Sequence, residues 1–264
     1  MVQTSITDVG YYKEICKLAY EDDDCFKKFK REPRYRHILE HASKAQGRAY
    51  LKVILKQSKE LLKFLGKFKE NDIYGDPFTY FYFRTGKISP TTLRYIKVLS
   101  DLRKLFGNLD DMDIIEIGVG YGGQCKIVSD VFSFNSYTLV DLDIVLKLAK
   151  KYLTKLNVNK AEYSTQDKLN DNNKYDLLIS NCAFSECNKA VQYEYIRKIL
   201  NKSKRGYITY NCIYSKAYTK EEIIEILSLD HNINILEEIP NTLPSTFILV
   251  WDDTKKIKKK IYPT

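Results

Sequence analysis

The sequence predicts an α/β fold in which helices cover both faces of a mostly parallel sheet, behind a helical N-terminal region. Three observations carry that expectation. From Asp113 onward, short β-rich runs alternate with helical stretches, the pattern of βαβ units. A glycine-rich turn, Glu116-Ile117-Gly118-Val119-Gly120-Tyr121-Gly122-Gly123, follows the first run directly. Asp141 closes the second run, 23 residues after Gly118. The chain has 264 residues, 44% of them hydrophobic, with 12 Phe and 21 Tyr. That is enough apolar material for a core and excludes wholesale disorder; the length suits one domain with a helical appendage.

Ahead of the sheet, apolar residues recur near helical spacing from Ser43 to Phe68 (Tyr50, Ile54, Leu61, Leu65, Phe68), with lysines on the opposite side, so one helix is expected there. Turn formers at 71–77 close it, and an aromatic cluster follows (Phe78, Tyr80, Phe81, Tyr82, Phe83). A second helix opens at Ser89-Pro90, a cap residue followed by proline at the first helical position, and ends at Phe106-Gly107. Strands are expected at 113–117, 136–140, 161–164, 175–180, 206–210 and 246–251, with helices near 124–131, 144–156, 190–201 and 220–229. These elements divide the chain into a helical cap region (1–88), a sheet domain (89–254) and a basic tail (255–264).

The charge excludes a broad nucleic-acid reader. Lys and Arg number 43 against 34 Asp and Glu, a net charge of +9. Residues 1–70 carry 16 basic and 10 acidic side chains and the tail adds five lysines, whereas residues 71–254 carry 22 basic and 24 acidic. The excess therefore lies outside the sheet domain, and it is mostly lysine rather than the forked guanidinium that phosphate and base readers favour. No run reaches the roughly 18 apolar residues of a membrane span, and the first residues lack a secretion signal. The six cysteines form no C-x-x-C pair and fit no zinc template. Reduced thiols, a cytoplasmic location, no membrane partner and no metal are expected.

Glycines after the first strand let the backbone turn tightly, and an acid ending the second strand can accept both hydroxyls of a ribose. Gly118, Gly120 and Gly123 match G-x-G-x-x-G, so a nucleoside-containing cofactor is expected at the carboxyl end of the sheet. Spacing alone permits NAD. About 110 residues precede the turn, however, and Glu116 stands two before the first glycine; this E-x-G-x-G form looks like the S-adenosylmethionine site of Rossmann-type methyltransferases. His37-Ile38-Leu39-Glu40-His41 matches H-x-x-E-H, but a hydrolytic zinc site needs a third ligand and only His231 remains, so a surface or interdomain pair is the expected reading.

A narrower resemblance covers nearly the whole chain, from about Arg36 to Trp251. The segments Asn71-Asp72-x-x-Gly75-x-Pro77, Ser89-Pro90-Thr91-Thr92-Leu93-Arg94-Tyr95, Tyr121-Gly122-Gly123-Gln124, Ser180-Asn181-x-Ala183-Phe184-Ser185-Glu186 and Glu238-x-Pro240 resemble the sugar O-methyltransferase family. Val119 stands where that family has glycine and Cys182 where it has tyrosine. The resemblance implies a Rossmann-like class I methyltransferase sheet, S-adenosylmethionine as cofactor, and a sugar hydroxyl as acceptor, nucleotide-linked or a glycan building block, bound between the cap region and the sheet. It implies cofactor contacts from Thr91, Arg94, Glu116, Gly118, Gly120, Gly122, Gln124, Asp141, Leu142, Gln166 and Asn181, and acceptor contacts from Tyr121, Ser185 and Asn211. A homo-oligomer is compatible with it.

Methyl transfer to a hydroxyl is an in-line displacement that needs the two atoms about 3 Å apart and a base for the departing proton. Glu186, five residues past Asn181, is the first candidate base, against the alternative that it favours a helix start with Ser185 as cap; His41, if its helix caps the site, is the second. An RNA or DNA methyltransferase and an NAD-dependent oxidoreductase are the competing activities. Amino-methylating enzymes carry Pro-Pro-aromatic after the fourth-strand polar residue, and here Asn181 is followed by Cys182-Ala183-Phe184.

Overall fold

The computed structural model describes residues 4–6, 10–243 and 245–257. Among them the helices are α1 (Gly10–Glu21), α2 (Asp23–Lys28), α3 (Pro33–Ile38), α4 (Lys44–Gln57), α5 (Leu65–Lys69), α6 (Pro90–Phe106), α7 (Gly123–Ser129), α8 (Asp143–Lys155), α9 (Lys189–Lys198) and α10 (Lys220–Leu227). The strands are β1 (Tyr80–Tyr82), β2 (Gly86–Ile88), β3 (Asp113–Ile117), β4 (Ser136–Val140), β5 (Ala161–Ser164), β6 (Leu177–Asn181), β7 (Arg205–Tyr210), β8 (Asn234–Glu237) and β9 (Phe247–Asp252).

Seven strands form one sheet in the order β5-β4-β3-β6-β7-β9-β8. The first five run parallel, and β9 inserts antiparallel between β7 and β8. Two apolar clusters mark its two faces. Ile114, Leu139, Leu177, Ile179 and Tyr207 join α6, α7, α8 and the N-terminal helices on one side. Ile115, Val140, Leu178, Ile208 and Trp251 join α9 and α10 on the other. This is the Rossmann-like class I methyltransferase sheet with helices on both faces that the sequence led us to expect. The fully parallel dinucleotide-binding sheet, ordered 3-2-1-4-5-6, has no such antiparallel insertion.

The caps of the helix opened at Ser89-Pro90 are as read from sequence. The Ser89 hydroxyl accepts from the Thr92 N–H (3.0 Å) and Gly107 ends the helix at φ +84°. One reading needs correction, and two elements lay outside the expected set. The helix expected over 43–68 breaks at Ser58, which leaves helical geometry (φ −152°, ψ 54°), and continues as a 3-10 segment and α5. The aromatic cluster forms a small antiparallel hairpin, β1 with β2, outside the main sheet. The edge strand β8 was missed because Asn234-Ile235-Leu236-Glu237 lacks a run of β-branched or aromatic residues. The basic tail lies outside the described residues from 258 onward, and among the described residues no helix is long and apolar enough to cross a membrane.

Candidate active site at the carboxyl ends of the strands

A cavity of about 380 Å³ opens where β3, β4 and β6 end, the position at which open α/β sheets bind ligands. Gly118, Gly120, Asp141, Leu142, Gln166 and Asn181 border it, and so do Arg94, His41, Glu186 and Asn211. One pocket therefore gathers both candidate bases and most of the expected cofactor contacts.

The floor is the turn after β3, and Asp141 fixes it. Its Oδ2 accepts from the Val119 and Gly120 N–H groups (2.9 and 3.2 Å) and its Oδ1 from the Leu142 N–H (2.7 Å). Burial pushes this carboxyl up to about 6, against those three N–H groups. With roughly four lone-pair sites per carboxylate, most of its accepting capacity already organises the turn. Gly118 (φ +75°) passes so close to the loop after β6 that a Cβ there would lie 1.8 Å from that of Ala183, and a Cβ on Gly120 (φ +53°) would lie 2.7 Å from Leu39. The glycines therefore admit the protein's own neighbouring loops as well as leaving backbone facing the cavity. Gly118→Ala should destabilise the fold by about 2–4 kcal/mol through strain and overlap together, read as a lower urea midpoint; an unchanged midpoint would mean that the two loops separate freely.

The loop after β6 forms another wall of the cavity. Both amide atoms of Asn181 are buried at the cavity wall without a hydrogen-bond partner, a cost that a ligand would remove. Cys182 has φ +71°, an uncommon conformation that aims its thiol at the Arg94 guanidinium (3.6 Å). That thiol is Arg94's one side-chain hydrogen-bond partner among the described residues, which leaves guanidinium donors for a ligand. Glu186 accepts from Asn211 Nδ2 (2.9 Å). Burial raises its carboxyl, while Asn211 and then Arg94 oppose the rise. The helix-start alternative for Glu186 does not hold: α9 is capped by Asn188, whose side chain accepts from the Val191 N–H (3.0 Å). His41 reaches the cavity from an irregular segment after α3 rather than from a helix. Burial and the nearby Arg94 lower its pKa, so the imidazole is neutral at pH 7.

Other expected contacts lie elsewhere. Glu116 is buried and accepts from the Tyr137 hydroxyl (2.8 Å), with burial pushing it up to about 8. Gln124 is buried and donates to the Tyr95 carbonyl (3.3 Å). Gly122 backs onto Leu153. Thr91 and Tyr121 lie beside the buried carboxyl of Glu40, and the Tyr121 ring also covers the Lys30 ammonium at 3.9 Å. Ser185 braces the loop from inside, donating to the Cys182 carbonyl (2.6 Å) and accepting from the Asn211 N–H (3.1 Å). None of these six borders the cavity. Apart from Gly122, which has no side chain, each sends its side chain into the body of the protein.

The sequence reading missed the cavity's N-terminal rim. Ile6 donates to the Glu186 carbonyl (3.0 Å) and Asn188 to the Thr4 carbonyl (2.9 Å), so residues 4–6 pair with the backbone next to the candidate base. Main-chain pairing across 180 residues leaves no local signal in the side chains. His37 and His41 fall on either side of the end of α3, and among the described residues no group of three or more His, Cys, Asp or Glu side chains is placed to hold a metal.

No family model and no curated protein matches the sequence. Solved structures resemble parts of it. An rRNA methylase from Streptococcus thermophilus is 16% identical with a TM-score of 0.42, covering 55% of this chain and 88% of that one. A methyltransferase candidate from Streptococcus mutans, in complex with SAH, is 17% identical with a TM-score of 0.46, covering 58% and 95%. An S-adenosylmethionine-dependent methyltransferase from Clostridium acetobutylicum is 13% identical with a TM-score of 0.46, covering 60% and 89%. The fold reading rests on the chain's own strand order.

Proposed function

We propose that the chain is an S-adenosylmethionine-dependent O-methyltransferase acting on a sugar hydroxyl, nucleotide-linked or part of a glycan building block. The observation that carries this reading is the pairing, in one cavity, of an acid-organised glycine turn with the unpartnered Asn181 amide and the Glu186 carboxyl. The antiparallel insertion of β9 supports it over the NAD-dependent alternative, and Cys182-Ala183-Phe184 after Asn181 supports oxygen over nucleic-acid amine as acceptor. The sugar itself comes from the resemblance carried by the motifs at 71–77, 89–95, 180–186 and 238–240.

The buried, unpartnered amide of Asn181 fits a polar cofactor. Asp141 would take the ribose diol, Leu142 and Gln166 would flank the adenine, and the open guanidinium donors of Arg94 would meet the methionine carboxylate. When bound, the cofactor supplies an electrophilic methyl group. The chain's own part is to hold the acceptor in line, exclude water and take the hydroxyl proton, for which Glu186 is placed, with Asn211 fixing its orientation.

Cofactor affinity should depend on pH through Asp141. Above about 6 the carboxyl is ionised and can accept charge-assisted bonds from a ribose diol; below it the added proton takes away the charge and one acceptor site, which weakens those bonds. Calorimetry with S-adenosylhomocysteine should find affinity level at neutral pH and weaker in acid, with Asp141→Asn flattening the curve. Asp141→Ala should cost about 1.5–3 kcal/mol per lost charge-assisted bond. Unchanged affinity would remove Asp141 from the site. Titration with S-adenosylmethionine and with NAD separates the two cofactor readings, and mass spectrometry of products from a panel of nucleotide sugars tests the acceptor.

A further inference from the structure

The β1–β2 hairpin is fastened to the body by one face only. Tyr82 and Ile88 are buried. The Tyr82 ring fills the space that Gly47 on α4 leaves without a side chain, and its hydroxyl donates to the Lys44 carbonyl (3.3 Å). Alternation along a strand sends the neighbouring side chains outward. Phe81 is 68% exposed and Phe83 79%, and Phe81 stands directly across the ladder from Lys87. A phenyl ring has no polar atom, so two such rings held in water mark a surface that something else covers.

The unspent charges around them have one sign. The Arg84 guanidinium lies 5.9 Å from the Phe83 ring centre and the Lys44 ammonium 5.9 Å from that of Tyr80. The Lys69 ammonium flanks Gly86. None of Lys44, Lys69, Arg84 and Lys87 forms an ion pair among the described residues. The acids of the same stretch are already engaged: Asp72 accepts from Ser89 and Thr92, Asp76 pairs with Arg31, and Glu70 pairs with Lys126.

We propose that this hairpin docks the protein on an anionic lipid bilayer, with Phe81 and Phe83 entering the boundary between headgroups and acyl chains and Arg84, Lys87, Lys69 and Lys44 lying over the lipid phosphates. Such a surface offers both attractions at once, partition of exposed rings and a negative potential for cations. The absence of a spanning segment led the sequence reading to expect no membrane partner, but an interfacial contact needs no span. Nucleic acid fits less well, because strands of three residues each provide no groove along which a phosphate backbone could run between stacked bases.

Sedimentation of the full chain with phosphatidylcholine vesicles, with and without phosphatidylserine, tests this. Binding should need phosphatidylserine and weaken with salt. It should fall at least about 10-fold in Phe81→Ser/Phe83→Ser and in Arg84→Glu/Lys87→Glu. All four side chains are exposed, so both variants should keep the parent's melting temperature. The proposal is overturned if the parent does not sediment with phosphatidylserine vesicles, if it binds neutral vesicles equally, or if both variants bind like the parent. It is equally overturned if the phenylalanine pair governs self-association or a gel shift with homopolymer RNA while vesicle binding is absent.

Discussion

Glu186→Gln should slow methyl transfer by roughly 10²–10⁴-fold while cofactor affinity hardly moves. The substitution keeps the shape of the side chain and an oxygen for Asn211 Nδ2 to donate to (2.9 Å in the parent), and removes only the capacity to take a proton. Burial raises this carboxyl, which brings its basicity nearer to working pH, where a general base is most effective. The pH–rate profile of the parent should therefore show an acidic limb that the variant lacks. Since Asn188 and not Glu186 caps α9, stability should barely change. His41→Ala, measured beside it, decides between the two candidate bases at the cavity: a large loss there with a mild one at Glu186 would assign the proton to the imidazole after α3. If neither slows the reaction, orientation alone carries it and the base assignment fails.

The parts of this site that the sequence made legible are those where backbone chemistry is local. A glycine turn, an acid at a strand end and a cap before a helix each depend on neighbours within a few residues, so Gly118, Asp141 and Ser89 could be placed from spacing. Side-chain direction is not local. Glu116, Gln124 and Tyr121 occupy the expected stretch of chain, yet each points toward a partner 21 to 91 residues away, such as Tyr137, Tyr95 or Lys30. The pairing of residues 4–6 with 186–188 is also invisible in sequence, because main-chain bonds impose almost no side-chain pattern. The helix expected over 43–68 shows the same limit: its apolar period was real, but Ser58 breaks it where the chain turns to keep Leu61 and Phe68 in the core.

Lys30→Ala should destabilise the fold by about 3–5 kcal/mol, because it strips the cation from a buried group of polar partners. The Lys30 ammonium is fully buried, donates to the Asn71 carbonyl (2.6 Å) and the Tyr152 hydroxyl (3.2 Å), and lies under the rings of Tyr121 and Tyr152. It also attracts the buried carboxyl of Glu40. Lys30→Met keeps the volume of the stem and, combined with Glu40→Gln, should recover much of the loss, since replacing both members of a buried pair costs less than orphaning one. The same burial predicts an unusual pH dependence. Burial pushes Glu40 up, Glu116 up to about 8 and Asp141 up to about 6. Each holds its proton in the folded chain at pH values where the unfolded chain has released it, so from about 4.5 to 8 the folded state binds more protons and stability falls as pH rises. Lys30, lowered by burial, acts in the opposite sense, but the thiols of Cys16, Cys125, Cys182 and Cys187, all raised by burial, keep protons that the unfolded chain sheds over the same alkaline range and outweigh it. The melting temperature of the cofactor-free protein should therefore fall from mild acid to about pH 8, and Glu116→Gln should flatten that fall. A single maximum at pH 7–8 would mean that these buried groups are solvated in the folded chain, and the packing argument for Lys30 would fall with it.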